Sequence, residues 1–314
     1  MRSELIRATK DWFARRNKMW IERDYETLYT TGGIQPAVVE MNRRDQLFAK
    51  RGAVDKKTIT DVQLKLSSAL DPTQTQVVAR ESIRFIYELC GRLEHEQRVI
   101  DHVFTWQVDD AQVKLVSHRH RNEQVQSAPN MQDEGGDLLP DGDWIRTESA
   151  ITRYERILAH RYAELWWDRA NPEYPSFAED CTNFISQVLH AGRIPLVFTD
   201  NRESGWWFRA APKMEWSYSW SVAHALIQFL RKASVGVRVH VVDDPKKLHI
   251  GDVIGYDWTG SGTYHHMTVV TNFDANGDPL VNAHTVNSRM RHYSYEDSYA
   301  WTEHTRYLFL HIAN

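Results

Sequence analysis

The chain has 314 residues, 42% of them hydrophobic, with a formal net charge of -4 and an isoelectric point near 6.4. That length suits about two domains with sizeable cores. No block of basic residues offers a nucleic-acid footprint, and no apolar run approaches a membrane span, so neither partner is expected.

In chain order, the first residues, Met1-Arg2-Ser3-Glu4-Leu5-Ile6-Arg7, lack the apolar core of a signal peptide, and a cytoplasmic location is expected on that ground. An amphipathic helix follows over about Ser3 to Arg23, its apolar face carried by Leu5, Ile6, Trp12, Phe13, Met19, Trp20 and Ile21. A shorter helix is expected over Val38 to Lys50. Strands follow at Thr58 to Ser67, Gln76 to Cys90, His95 to Val108 and Gln112 to Ser117, with Asp109-Asp110 as a short turn. Helices before an antiparallel meander make residues 1–120 an α+β domain, faintly resembling the cone-shaped folds of the nuclear-transport-factor type in element order. His118 and His120, beside Arg119, read as exposed side chains, and no metal site is expected there. Residues 121–150 are polar and rich in turn formers, which marks a linker.

Residues 151–314 read as a second α+β domain. Helices are expected over Tyr154 to Ala170, from Cys181 to a stop at Gly192, and over Ser221 to Lys232, with a long aromatic loop at 195–221. Strands are expected at Val237 to Val242, Asp252 to Trp258, His266 to Phe273, Pro279 to Thr285 and Arg306 to Ile312. Eight of the twelve tryptophans fall in this half. They make an aromatic-rich core or, in part, line a substrate groove.

The two cysteines, Cys90 and Cys181, fall in different domains, so no disulfide framework is expected and a reducing compartment fits. Cys181 begins a helical stripe with Phe184, Ile185, Val188 and Leu189. A thiol in a first helical turn has the positive end of the macrodipole beside it, which favours thiolate. Asp180 reads as the N-cap, its carboxylate turned to the first-turn N–H groups. The Cys181 N–H is then an oxyanion donor, and Tyr174 is weighed as a second. His265 and His266 open an apolar strand, on opposite faces, and one of them faces the thiol. The next strand carries Asn282 and His284 on one face. A three-residue loop, Ala275-Asn276-Gly277 with Gly277 left-handed, places that face with His266, where an amide orients the imidazole. Asp274-Ala275-Asn276-Gly277-Asp278 resembles a calcium loop, but Thr285 stands where the twelfth-position glutamate belongs. No phosphate-cradling glycine loop and no zinc spacing are present. No cofactor and no metal are expected.

Asp180-Cys181-Thr182-Asn183-Phe184-Ile185-Ser186-Gln187 resembles the hallmark of the bacterial putative amidase domain family. So do Ser204-Gly205-Trp206-Trp207, Trp216 to Trp220, Gly251-Asp252-Val253-Ile254 with Tyr256-Asp257-Trp258, and Val281 to Thr285. The resemblance spans about 152–312. It implies a papain-like cysteine hydrolase domain, similar to the NlpC-type and CHAP cell-wall peptidases. Cys181 then matches the nucleophile, His266 the histidine and Asn282 the third position. His265 departs from the family, which tends to carry an acidic residue there. The implied activity is cleavage of a peptide or peptidoglycan stem amide through a thioester, with the cell envelope as an alternative location. Acyl transfer to an amine is a further outcome of the same chemistry. A non-catalytic binding protein on a papain-like scaffold is the alternative of a different class, and a Cys181 buried away from His266 would favour it.

Overall fold

The computed structural model describes residues 2–22, 35–69, 74–109, 112–120, 153–232 and 237–313. The expected linker at 121–150 lies outside the described residues, as does Asp110 of the expected turn. The chain is mixed α and β, and its sheets are antiparallel throughout the described residues. It divides into two compact units. One takes its described residues from 1–124, 274–277 and 286–301, the other from 125–273, 278–285 and 302–314.

The first unit contains α1 (Arg2–Glu22), α2 (Gln35–Arg51) and the strands β1 (Val54–Ala69), β2 (Gln74–Leu89), β3 (Arg92–Asp109) and β4 (Gln112–His120). The β2–β3 hairpin turns on Cys90 and Gly91, both at positive φ, a two-residue loop of the kind that matches strand twist. Strand β2 alternates as half-buried strands do, with Val77, Ala79, Glu81, Ile83, Phe85, Tyr87 and Leu89 inside. Helix α1 lays Leu5, Trp12 and Phe13 on Val77, Ala79 and Phe104, and Met19 and Trp20 on Ile83 and Phe85. Ile21, assigned to that apolar face by its spacing, is exposed instead. A later strand, absent from the sequence expectations, pairs with β3 in this unit at Asn287↔Val99.

The unit also buries a charge network. Arg98 bonds Glu40, Glu96 and Asp297, Arg44 bonds Glu96 at 2.9 Å, and Arg291 bonds Asp297 at 2.8 Å. Burial alone would raise these carboxyls. The guanidinium groups of Arg98 and Arg44 overcome it at Glu96, and those of Arg291 and Arg98 at Asp297, so both sit below the usual carboxylate range.

The second unit holds α3 (Arg156–Trp166), α4 (Cys181–Ala191), the two-residue strands β5 (Phe208–Arg209) and β6 (Glu215–Trp216), α5 (Tyr218–Ser221) and α6 (Ala223–Lys232). Its sheet runs β10 (Pro279–Ala283), β9 (His266–Phe273), β8 (Val253–Asp257), β12 (Arg306–Ala313) and β7 (Arg238–Val242) in spatial order, β11 (Asn287–His292) being the strand that pairs with β3. Val253, Met267, Val269, Leu310 and Ile312 form the sheet side of the core, and Ala159, Ala163, Phe184, Ile185, Val188, Leu226 and Ile227 the helix side. Trp206, Trp207 and Trp220 are fully buried, which settles the core reading for these three. Helix α4 ends at Ala191, but the left-handed residue is Arg193, not Gly192. Gly192 is needed for space, since a Cβ there would lie 2.3 Å from the Tyr154 ring. Among the described residues no helix is long and apolar enough to cross a membrane.

Replacing Arg98 with Met leaves Glu40, Glu96 and Asp297 short of a buried cation. A loss of about 3–5 kcal/mol is expected at neutral pH, read as a lower urea midpoint. The depressed carboxyls contribute stability above the carboxylate range and lose it as pH falls through their folded values, so the gap between wild type and Arg98→Met narrows in acid. A gap that is small at neutral pH, or that widens in acid, contradicts this account.

Candidate active site

Helix α4 is buried on every side from Cys181 to Leu189. A helix so enclosed needs partners for each polar side chain, and α4 has them. Asn183 Nδ2 donates to Pro175 O and its Oδ1 accepts from Trp220 Nε1, both at 2.8 Å. Ser186 Oγ donates to Trp220 O and accepts from Trp206 Nε1. Gln187 Oε1 accepts from Tyr162 at 2.6 Å. The polar letters of Thr182 to Gln187 thus fix the helix among its tryptophans. Tyr174 packs its ring on Trp220 and Phe208.

Asp180 stands at the N-cap position, but its carboxylate makes no cap bond, contrary to the sequence expectation. Its Oδ1 accepts from the Phe177 N–H at 3.1 Å and from Asn183 Nδ2 at 2.8 Å, and its Oδ2 meets His284 Nδ1 at 2.7 Å. His284 Nε2 lies 2.7 Å from the Trp166 carbonyl, and the ring stacks on Phe184 at 4.1 Å. Both ring nitrogens thus meet an acceptor, a carboxylate at one and a carbonyl at the other. The diverted carboxylate also leaves the first-turn N–H groups of α4 uncapped by it.

The Cys181 thiol is buried, 6% exposed. Burial pushes it up, against the Thr182 hydroxyl at 3.7 Å, the Met267 backbone N–H and the Thr285 hydroxyl, which favour thiolate; the Asp180 charge adds to the upward push. Burial outweighs these donors and holds the thiol above its ordinary value, against the direction expected from its position in the helix.

Met267 N is bonded to the His266 carbonyl carbon, so the N–H that meets the thiol is the one that follows His266 in the chain. The structure thus brings Cys181 to the head of β9. The His266 ring rests on Trp258, with centroids 5.8 Å apart, and on Tyr256 at 5.5 Å. His265, half-buried, alternates to the Met267 face and interacts with His224 of α6, which burial and His265 together push down.

Asn282 is placed elsewhere. Gly277 is left-handed, and Phe273↔Pro279 and Asn272↔Leu280 keep the parity expected of the loop. A bulge then shifts the pairing to Val270↔Val281 and Val269↔Asn282. The shift puts Asn282 on the helix face, opposite to His266 and about 10 Å along the strand from it. Its Oδ1 accepts from Thr271 at 2.9 Å, and its Nδ2 donates to Glu164 Oε1 at 2.9 Å and Ala163 O at 3.3 Å. Beyond Ala283 the strand gives way to a turn that carries His284 and Thr285. Thr285 accepts from the Asp180 N–H at 3.2 Å and holds φ +84°, a strained value for a β-branched residue. Sequence reasoning missed both Thr285 and the Asp180–His284 pair. The run Asn282-Ala283-His284-Thr285 was the signal, read for its first residue.

A family described as “Putative amidase domain” matches residues 153–310, half of the chain. The chain is 47% identical over 162 residues to “Uncharacterized protein YhbB” of Bacillus subtilis (strain 168), covering 52% of this chain and 51% of that one. It is 29% identical over 153 residues to “Uncharacterized protein YjcM” of the same organism, covering 45% and 33%. The chain thus spans about half the length of the first relative and a third of the second. No solved structure matches.

In a Cys90→Ser chain, iodoacetamide alkylation of Cys181 is expected to be slow at neutral pH, with a midpoint above the ordinary thiol value of about 8.5. A midpoint below that value contradicts the burial argument. Asn282→Ala is expected to lower stability by about 1–3 kcal/mol, because Thr271 and the α3 groups lose a buried partner. Its alkylation profile is expected to match that of the parent.

Proposed function

The chain belongs to the putative amidase domain family, and from that membership and the surroundings of Cys181 we propose a cysteine-dependent amide hydrolase that works through a thioester acyl-enzyme. One observation carries this reading: the thiol at the start of α4 lies against the backbone N–H that follows His266. A papain-like arrangement of helix and strand is part of the proposal.

His266 takes the thiol proton as the sulfur attacks the amide carbonyl, and the Cys181 N–H, uncapped by Asp180, holds the oxyanion. The proton passes to the leaving amine. Water then attacks the thioester with His266 as base, and the acid departs. Because the resting group is a thiol, deprotonation accompanies attack. Thr285 positions the sulfur. Asn282 ties the sheet to α3 and has no part in orienting His266. The substrate class is a peptide or peptidoglycan stem amide. The half-buried Trp216, packed on Phe177 at 5.0 Å, and Trp258, stacked on His266, supply aromatic surface for it. A second reading makes His265 the base, favoured by its alternation to the Met267 face.

The test is hydrolysis of defined muropeptides by wild type, Cys181→Ala, His266→Ala and His265→Ala. Cys181→Ala and His266→Ala are expected to lose about 10³-fold or more in kcat/KM, with His265→Ala nearly unchanged. The converse result for the two histidines assigns the base to His265. Turnover retained in Cys181→Ala overturns the cysteine mechanism. An inert wild type whose Cys181 still forms a hydroxylamine-sensitive adduct with activated acyl esters overturns the substrate class alone.

A further inference from the structure

The first unit holds a cluster that the amidase chemistry does not use. His102 on β3 pairs in register with His120 on β4, and His118 stands two residues before His120, so the three share one face of the sheet. All are buried, at 0%, 5% and 7% exposure for His102, His118 and His120, which corrects the reading of His118 and His120 as surface residues. His102 Nδ1 lies 2.9 Å from His118 Nε2, and its Nε2 lies 3.1 Å from Glu81 Oε2. A carboxylate only accepts, so His102 Nε2 carries the hydrogen and Nδ1 presents a lone pair toward the other rings. The Nδ1 of His118 is buried with no hydrogen-bond partner.

Packing alone does not account for this arrangement. Three imidazoles in one apolar pocket, walled by Trp12 at 4.5 Å from His118 and by Phe13 at 5.1 Å from His102, bring costly polar atoms where Leu or Phe would do. One ligand nitrogen from each ring lies within 4.8 Å of the others. Zinc–nitrogen bonds of about 2.0–2.1 Å put tetrahedral ligands about 3.3 Å apart, inside that limit. We propose that His102, His118 and His120 bind one zinc-class divalent cation, with Glu81 holding the His102 ring from outside the ligand shell. Three imidazoles with an acidic acceptor behind one of them suit zinc or cobalt, and exclude calcium and magnesium, which need oxygen ligands. Arg16 is the neighbouring cation, and its charge is matched by Glu81, to which it bonds. The fourth position is left for water or hydroxide, and the latter reduces the net charge.

The test uses the full chain, stripped with chelator, dialysed against zinc and assayed for bound metal, then repeated with cobalt for its visible spectrum. Wild type is expected to retain one zinc per chain and to give the intense spectrum of a tetrahedral cobalt site. His120→Asn and His118→Gln are expected to lose both, with far-ultraviolet circular dichroism unchanged. A folded wild type without retained zinc overturns the proposal, and so does equal zinc in wild type and folded variants. Should both variants fail to fold, the wild type decides. Chelator is expected to lower its Tm and zinc to restore it, and an unmoved Tm overturns the proposal.

Discussion

The second unit depends on where one carboxylate goes. Asp180 forgoes the cap of its own helix and instead joins the Phe177 N–H, the Asn183 amide and the His284 imidazole. Those bonds tie the start of α4 to the chain that leaves β10. The Asp180 N–H does the same from the backbone by donating to Thr285. The thiol of the next residue is thereby lodged against the head of β9. A buried pair of this kind is costly to break, since loss of either partner strands the other in a medium of low dielectric. The same diversion keeps the carboxylate off the first-turn N–H groups of α4.

A single extra residue in β9 decides which side chains can share the site. The turn chemistry was legible: Asp274 and Gly277 specify a loop whose parity carries through to Asn272↔Leu280. The bulge that follows was not. Nothing in Thr271 announces it, because a bulge is set by how strand and helix faces fit once packed. Thr271 then donates to Asn282, whose amide turns to α3. A one-residue slip moves a whole strand's side chains to the other face. Here it sends Asn282 to the helix side of the sheet.

Much of the fold was readable because its signals are local. The apolar stripe of α4, the alternation of β2 and the runs of β8, β9 and β12 each carry their own period. What failed is non-local. The strand Asn287–His292 has the charged composition Asn-Ser-Arg-Met-Arg-His, and only its pairing with β3 and the Arg291–Asp297 bond make it strand-like. His118 and His120 alternate with Ser117 and Arg119 as an ordinary half-buried strand would. Without the partner His102, sixteen residues earlier, neither burial nor clustering was visible. Gly192 does cap the helix end, but without the left-handed φ that usually selects glycine, and what requires glycine there is room for the Tyr154 ring.

The state of the thiol turns on which of two effects is larger. A helix N-terminus favours an adjacent negative charge by about 0.3–1 kcal/mol at exposed positions. Desolvation of a fully enclosed thiolate opposes this, and at Cys181 it outweighs the donors Thr182, Met267 and Thr285. A sequence shows the helix start but not the enclosure, so position alone argued for thiolate. An enclosed neutral thiol is protected from adventitious oxidants, because the thiolate is the reactive form. The Met267 N–H, which follows His266 in the chain, is one of the donors that offset the desolvation cost at the sulfur.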